Sequence, residues 1–266
     1  MDDHELIKRR ILELAERAEE RGYPTHTVFL PLSEQNILEE LAMEGRADLK
    51  AGKVASAAFF AYGGGEEAES KVFFFLPDFL DLQSEKANEE AGETILCLHV
   101  EGKKAAYAEE LSHRDYLGAL MNLGYEREQF GDILVKGKEA YVFLFKSIAE
   151  EVSKSLISVR HTSVKCTLLP PKDCPFTIQK EAKRINISSP RLDAIIAEVF
   201  SLSRLEAQRL VESGAVMVGS ATVENNAAFL RGGELVAVRG KGKFLYQGEE
   251  KTSRKGRLFV SVLLYR

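Results

Sequence analysis

The sequence has few of the residues that catalytic, metal-binding or disulfide-linked proteins need. Only three of its 266 residues are cysteines, and Cys97, Cys166 and Cys174 form no CxxC pair. Buried, reduced thiols are therefore the simplest interpretation, and a zinc site is not expected. The five histidines show no ligand spacing either. We expect neither a metal nor a cofactor.

Long apolar segments are also absent. The charged start MDDHELIKRR is not followed by an apolar stretch, so we expect no secretory signal. The longest apolar runs, such as residues 72–76, are far too short to span a bilayer. These absences predict a protein of the cytoplasm, or of a similar reducing compartment, that makes no membrane contact.

Nucleotide-binding signatures are missing as well. The glycine-rich turn GGGEEAES lacks the GxxxxGK[ST] pattern of a phosphate cradle. The stretch HRDYLGALMN begins like a kinase catalytic loop, but that loop needs asparagine where this chain has Leu120. Ser112 and Asp115 instead have the [ST]-x-x-[DE] spacing of a capping box. We therefore predict that Asp115 starts a helix and is not a catalytic base.

Charge is distributed unevenly along the chain. Residues 183–266 contain 14 Lys and Arg against 8 Asp and Glu, a net charge of +6. Residues 1–182 contain 22 Lys and Arg against 33 Asp and Glu, a net charge of −11. Such asymmetry indicates an anion-binding C-terminal end, for which nucleic acid is the commonest partner, or a basic surface without a ligand.

The order of apolar segments predicts an α+β protein of three domains. Residues 1–92 combine helices with a β-hairpin made by VASAAFFAY and KVFFFLPD. Residues 93–180 have the β-α-β-β-α-β order of a ferredoxin-like or RRM-like domain. Residues 181–266 start with two short helices, the second capped by Ser203 and Glu206, and continue with several short strands.

The helix that begins with HRD has a polar stripe on one side. Arg114, Gly118 and Asn122 are four residues apart, and Arg127 follows nearby. Glycine in a helix interior costs about 1 kcal/mol relative to alanine, and this stripe offers no packing reason for it. The stripe is either a docking surface for RNA or the ribosome, or a solvated helix face. The opposite side should face the sheet through Leu117, Leu120, Met121 and Gly124.

The middle sheet offers a second place where RNA could bind. Tyr141, Phe143 and Phe145 alternate onto one face of a strand, as the base-stacking aromatics of an RRM do. The segment KGKEAYVFLF does not match the RNP1 pattern, however. A role in the core is therefore favoured over RNA contact.

Two segments together resemble a known family. HRDYLGALMNLGYEREQFGDILV, followed by RLDAIIAEVFSLSRLEAQRLVESGAVMV near the C-terminus, is similar to the YlmH family of bacterial RNA-binding proteins. That family includes the photosystem II S-four domain proteins of cyanobacteria and plants. The second segment alone resembles the S-four (αL-type) RNA-binding domain, and the likeness covers about the last two-thirds of the chain.

The resemblance implies a surface for structured RNA. In an S-four domain, two short helices and an adjacent loop form one basic face. Guanidinium, hydroxyl and amide groups on such a face can bind phosphate or ribose. Arg191 could instead pair with Asp193 or Glu198. The residues that the resemblance places on this face are Arg191, Ser203, Arg204, Gln208, Arg209, Arg239, Lys241 and Lys243.

The resemblance also implies a cellular role. Members of the family bind large ribosomal subunits obstructed by peptidyl-tRNA and act in ribosome-associated quality control, with links to cell division. We therefore expect a monomeric, non-catalytic partner of rRNA, and as a further candidate of tRNA, on the large ribosomal subunit. The alternatives are an RNA-modifying enzyme of the pseudouridine synthase type, with Asp193 as its aspartate, and a regulatory RNA-binding scaffold.

Overall fold

The computed structural model describes residues 3–65, 68–80, 90, 93–104, 109–175, 180–219, 221–252 and 257–265. The chain divides into two compact units, Met1–Phe176 and Thr177–Arg266. Helices and antiparallel sheets occur in both, so the predicted α+β class is confirmed. No helix among the described residues is long and apolar enough to cross a membrane. The three-domain division stays a prediction, and its boundary at residue 92 falls outside the described residues.

The first sheet of the N-terminal unit consists of short strands covered by two helices. Helices α1 and α2 pack on this sheet, and Ile11, Leu14 and Ala18 form the buried face of α1. The predicted β-hairpin is the antiparallel pair β4–β5. The strand order is β1-β5-β4-β3-β2. The elements are α1 (Asp3–Arg21), β1 (Thr25–His26), α2 (Ile37–Met43), β2 (Ala47–Asp48), β3 (Lys53–Val54), β4 (Ala57–Tyr62) and β5 (Val72–Leu76).

The second sheet of the same unit follows the predicted β-α-β-β-α-β order, with one added strand. Its strands are all antiparallel to their neighbours, in the order β7-β8-β6-β10-β9. Helix α3 contacts β7, and α4 contacts β6, β8 and β10. The elements are β6 (Ile95–Gly102), α3 (His113–Met121), β7 (Phe130–Lys136), β8 (Glu139–Phe145), α4 (Lys146–Ser155), β9 (Ser158–Val159) and β10 (Thr162–Leu169).

Helix α3 begins where the capping box predicts. The backbone N–H and the hydroxyl of Ser112 both donate to the carboxylate of Asp115, at 2.8 and 2.7 Å. Tyr116 and Leu120 form its buried side, a role that the sequence pattern did not assign to Tyr116. Gly124 was predicted on that side, but it is exposed and has a positive φ of 89° just beyond the helix. Glycine adopts this conformation at helix ends without steric cost.

One face of the second sheet is covered by the N-terminal part of the chain. Tyr141, Phe143 and Phe145 are all buried there, and the Phe29 and Phe145 ring centroids lie 4.9 Å apart. A Cβ atom added to Gly64 would lie 2.1 Å from the Phe143 ring, so only glycine fits. The prediction that these aromatics belong to the core is confirmed. The RRM-like use of this sheet face for RNA is therefore excluded in this arrangement.

The end of α4 differs from the sequence-based expectation. The apolar pattern predicts a helix as far as Val159, but α4 ends at Ser155. Ser158 and Val159 instead pair with Ser163 and Thr162 as the hairpin β9–β10. This pairing satisfies backbone groups that a longer helix would otherwise use, and β-branched residues such as Ile157 and Val159 favour extended structure.

The C-terminal unit is a six-stranded antiparallel sheet with two short helices. Its strand order is β11-β16-β15-β14-β12-β13. The long edge strand β11, which pairs with β16 over its whole length, was not predicted, because its first half, KEAKR, lacks apolar alternation. The elements are β11 (Lys180–Ile187), α5 (Leu192–Phe200), α6 (Arg204–Glu212), β12 (Val216–Val218), β13 (Ala221–Thr222), β14 (Glu234–Val238), β15 (Gly242–Thr252) and β16 (Leu258–Tyr265).

The two helices of this unit are joined by a tight turn. Ser201 ends α5 in the left-handed conformation, with φ of 55°, and Leu202 N–H donates to the carbonyl of Ala197. The ammonium group of Lys183 donates to two further carbonyls at the end of α5. Ser203 then begins α6 with the predicted capping box, because its hydroxyl accepts the N–H of Glu206 at 3.2 Å. These bonds fix the angle at which α6 leaves α5.

Candidate nucleic-acid interface

A buried carboxylate organises the basic residues at the start of α5 and α6. Asp193, the second residue of α5, has no exposed surface. Arg191 donates to it through Nε and Nη2 at 3.2 and 3.3 Å, and Arg204 does so at 3.0 and 3.1 Å. Gln208 adds a third donor at 3.1 Å. The alternative that Arg191 pairs with Asp193 is therefore the observed one, and three predicted RNA-binding side chains share one anchor.

The two arginines retain donors for a second partner. A guanidinium carries five N–H groups, and each bidentate contact with Asp193 uses two of them. The side chains of Arg191 and Arg204 are 35% and 44% exposed, so the remaining donors can reach solvent. Because the bonds to Asp193 fix the planes of both guanidinium groups, the remaining N–H donors are oriented before a ligand binds. The cluster is suited to phosphate oxygens.

The environment of Asp193 keeps it ionised. Burial alone raises the pKa of this carboxyl group, but the hydrogen bonds from Arg191, Arg204 and Gln208 outweigh burial. The pKa of Asp193 consequently lies below its ordinary value. A carboxylate that is ionised more readily in the folded state stabilises the fold above its unfolded-state pKa of about 3.9.

We expect this stabilisation to disappear on acidification. As the pH falls below about 4 and then through the lower folded-state pKa, protonation removes the contribution of Asp193. The C-terminal unit of Asp193→Asn should therefore lose less stability between pH 6 and pH 3 than that of the parent chain. Hydrogen exchange of β14–β16 amides measures this loss. Glu198→Gln, which changes an exposed acid on the same helix, should follow the parent, and identical pH profiles for Asp193→Asn and the parent would contradict the assignment.

Further exposed cations lie beside the first turn of α6. The pKa of Glu206 is lowered, first by its capping bonds with Ser203 and then by the nearby charges of Lys241 and Arg209. Arg209 is exposed on α6, and Lys241 is exposed in the turn between β14 and β15. The helix and this turn therefore present their charges together. Ser203 itself is engaged in the cap, which limits its availability to RNA.

The predicted cations Arg239 and Lys243 lie on either side of Lys241 along the chain. Arg239 is exposed, and its N–H donates to the carbonyl of Ala215, just beyond α6. Phe244 is buried against Phe200 of α5, so its neighbour Lys243 points to the opposite face of the sheet, where it lies 5.0 Å from the Tyr265 ring centroid. Lys243 thus lies apart from Lys241 on the sheet, and its predicted RNA contact stays a prediction. We call Arg191, Arg204, Arg209, Arg239 and Lys241 the C-terminal basic face.

An exposed aromatic residue beside this face was missed. Phe229 is 70% exposed and forms an isolated antiparallel bridge with Arg191. RNA-binding proteins stack unpaired bases on such side chains. The sequence AAFLRGG gave no signal for it, because an isolated apolar run predicts a buried strand.

The polar stripe of α3 lies at a groove in the N-terminal unit. Arg114, Gly118 and Asn122 line one side of this groove, and Arg160, which was not predicted, lies on the other. Arg127 does not line it. Its guanidinium donates instead to the carbonyls of Phe130 and Gly131, at the irregular start of β7. Arg127 thus lies near the start of α3 but outside the groove, and its predicted RNA contact stays a prediction.

The described residues include no group of three or more His, Cys, Asp or Glu side chains arranged to hold a metal ion.

Comparisons with known proteins find similar proteins that are described as RNA-binding or ribosome-associated. Residues 99–173 match the family model described as "Putative RNA-binding domain in YlmH". Over 221 residues the chain is 29% identical to the "Ribosome-associated protein quality control protein P2" of Bacillus subtilis (strain 168), an alignment that covers 82% of this chain and 78% of that protein. The chain is similar to proteins of the YlmH family over these ranges. The resemblance seen in the sequence is thereby confirmed.

A solved structure of a YlmH protein is also similar. "Cell division protein ylmH from Streptococcus pneumoniae" aligns with a TM-score of 0.47 at 20% identity, over 65% of this chain and 95% of that one.

The range 99–173 that matches the YlmH family model spans α3 to β10 and contains the groove lined by Arg114 and Arg160.

Proposed function

We propose that this chain is a monomeric RNA-binding protein that associates with the ribosome through its C-terminal basic face. The observation that carries the proposal is the Asp193 cluster, in which one buried carboxylate orients two partly exposed guanidiniums toward solvent. Oriented guanidiniums bind phosphate oxygens well because little side-chain freedom is lost on binding. The net charge of +6 over residues 183–266 supports the same partner.

We propose that the three domains of the chain have different roles. We assign residues 93–180 to a ferredoxin-like domain and residues 181–266 to an S-four domain, on the strand order of the first and the helix pair of the second. Residues 1–92 form the N-terminal domain, whose aromatic contacts cover the sheet that an RRM would use. We therefore assign RNA contact to the C-terminal basic face and not to that sheet face.

The partner that we propose is rRNA of the large ribosomal subunit, with tRNA as a second candidate. The Bacillus subtilis relative carries the name of a ribosome-associated quality control protein. By this likeness, our chain would act on stalled translation and bind subunits that retain peptidyl-tRNA. A role in cell division rests only on the printed name of the Streptococcus pneumoniae protein.

The structure disfavours the main enzymatic alternative. A pseudouridine synthase needs an aspartate that reaches the uridine, and the candidate here would be Asp193. This carboxylate is fully buried and accepts hydrogen bonds from three side chains. A group so enclosed has no surface to offer to a base. We therefore propose a binding function, and a regulatory RNA-binding scaffold remains the second candidate.

Sedimentation with purified ribosomal subunits tests the proposal. We expect the full chain to sediment with large subunits at low salt, and to be released as the salt concentration rises, because phosphate contacts displace counterions. Small subunits serve as the matched control. Failure to sediment with either subunit would contradict the ribosomal proposal, and sedimentation that does not respond to salt would contradict the phosphate-based contact.

A further inference from the structure

A groove separate from the C-terminal basic face opens on the surface of the N-terminal unit. It has a volume of about 510 Å³ and lies between α3 and the segment that joins α4 to β10. Arg114, Gly118 and Asn122 line it from α3, and Ser155, Ile157 and Arg160 line it from the other side. Ligand sites for small organic molecules have volumes of roughly 300–1,000 Å³, so one nucleotide can fit.

Gly118 keeps this groove open. A Cβ atom added at this position would meet no heavy atom within 4 Å, so no internal packing requires glycine here. Glycine is also a poor helix former, and α3 would gain stability from almost any other residue. The missing side chain therefore costs helix stability and leaves free space directly above the helix backbone.

Arg160 occupies a backbone position that favours glycine. It is the first residue of the two-residue turn between β9 and β10, and its φ of 50° lies in the left-handed region. Hairpin turns that need a positive φ usually have Gly, Asn or Asp there. The guanidinium lies at the rim of the groove, 3.5 Å from the carboxylate of Asp115, with 58% of the side chain exposed. A strained arginine at the rim of a cavity indicates a functional contact.

The other side chains that line the groove can hold an anion that carries a ring. Arg114 is exposed and makes no hydrogen bond or ion pair within the described part of the chain. Ile157 is 66% exposed, although its backbone is fixed on both sides by bonds with Ser155 and Val164. The amide of Asn122 is exposed as well and can pair with a base edge.

We propose that this groove binds one unpaired nucleotide of a structured RNA, with the phosphate held by Arg114 and Arg160 and the base placed against Ile157. The inference rests on the proposed RNA-binding function. Recognition of splayed-out bases by apolar side chains and hydrogen-bond donors is the usual way in which proteins read structured RNA. The groove also lies within the range matched by a model of an RNA-binding domain. The rim carries Arg114 and Arg160 beside the carboxylate of Asp115, on a part of the chain that is otherwise strongly acidic.

Fluorescence anisotropy with two RNA hairpins tests the inference on the full chain. One hairpin carries a single extrahelical uridine, and the other is identical but fully paired. We expect the parent chain to bind the bulged hairpin about tenfold more tightly, because a charge-assisted phosphate contact and base burial are added. Arg114→Gln, Arg160→Gly and Gly118→Leu should each reduce this preference strongly while leaving the affinity for the paired hairpin nearly unchanged.

The controls separate this inference from unfolding and from the proposed function. Arg160→Gly relieves the backbone strain of the positive φ at this turn position. The thermal midpoint of this variant should therefore not fall, even though its preference for the bulged hairpin is lost. Arg21→Gln removes the same charge from the exposed end of α1 and should keep the preference.

Retention of the preference in all groove variants, or equal affinities of the parent for both hairpins, would overturn the inference and leave RNA binding by the C-terminal face intact. A parent chain that binds neither hairpin at low salt would remove the proposed function as well. Displacement of the bulged hairpin by a deca-glutamate peptide, added at the same total negative charge as the RNA, would also overturn the inference, because it would show that the groove binds acidic peptides.

Discussion

Replacing Asp193 by alanine should destabilise the C-terminal unit by about 3 kcal/mol. The substitution removes the shared partner of Arg191, Arg204 and Gln208 and leaves a small cavity at the start of α5. Loss of one partner of a buried ion pair costs about 3–5 kcal/mol, because the other charge stays buried without compensation. The two arginines are partly exposed and can regain water, so the lower end of this range applies.

Hydrogen exchange measured by mass spectrometry locates this loss within the chain. At about 3 kcal/mol, the slowest amides of β14–β16 should exchange roughly a hundredfold faster. Amides of β6 and β8 in the N-terminal unit should keep their protection and provide an internal reference. Glu198→Ala removes an exposed carboxylate from the same helix and should change stability by less than about 0.5 kcal/mol. Equal effects of the two substitutions would show that the Asp193 cluster does not stabilise the unit.

Local signals in the sequence predicted the parts of the fold that depend on neighbouring residues. Both capping boxes, Ser112 with Asp115 and Ser203 with Glu206, formed as their spacing indicated. The apolar face of α1 and the order of elements in the second sheet were also predictable, because periodicity reports directly on burial. These features involve residues within one turn or one strand.

Features that depend on distant residues were not predictable in the same way. Strand β11 pairs with β16 about 80 positions later, and the β9–β10 hairpin replaced the last turn of a predicted helix. Arg160 was missed for this reason, since its place at the groove follows from that hairpin.

The same limit applies to the predicted site residues. Six cations were assigned to one S-four face, and the structure separates Lys243 from the other five because side chains alternate along β15. Spacing could suggest that Arg191 meets Asp193, two residues away, but it could not show that Arg204 and Gln208 converge on the same carboxylate. The buried anchor of the site is thus visible only in three dimensions.

Reversing two exposed charges on the C-terminal basic face should weaken RNA binding without unfolding the chain. We expect Arg209→Glu with Lys241→Glu to lower the affinity for ribosomal RNA by about a hundredfold at low salt, since each phosphate contact is worth roughly tenfold. The dependence of log Kd on log salt concentration should lose a slope of about 2, one unit for each phosphate contact. Equilibrium binding of labelled rRNA over a range of KCl concentrations measures both quantities.

The choice of these two positions follows from the structure. Arg204 is the more obvious target in the sequence, but Arg204→Glu would place a second carboxylate against buried Asp193 and destabilise the unit. Arg209 and Lys241 are exposed, and their charges lower the pKa of Glu206, which belongs to the cap of α6 and not to the buried cluster. Lys251→Glu is the matched control for Lys241→Glu, because both change an exposed lysine at opposite ends of β15, roughly 30 Å apart at strand spacing. A loss of affinity in Lys251→Glu equal to that in Lys241→Glu would mean that the net charge of the unit, and not the C-terminal basic face, determines RNA binding.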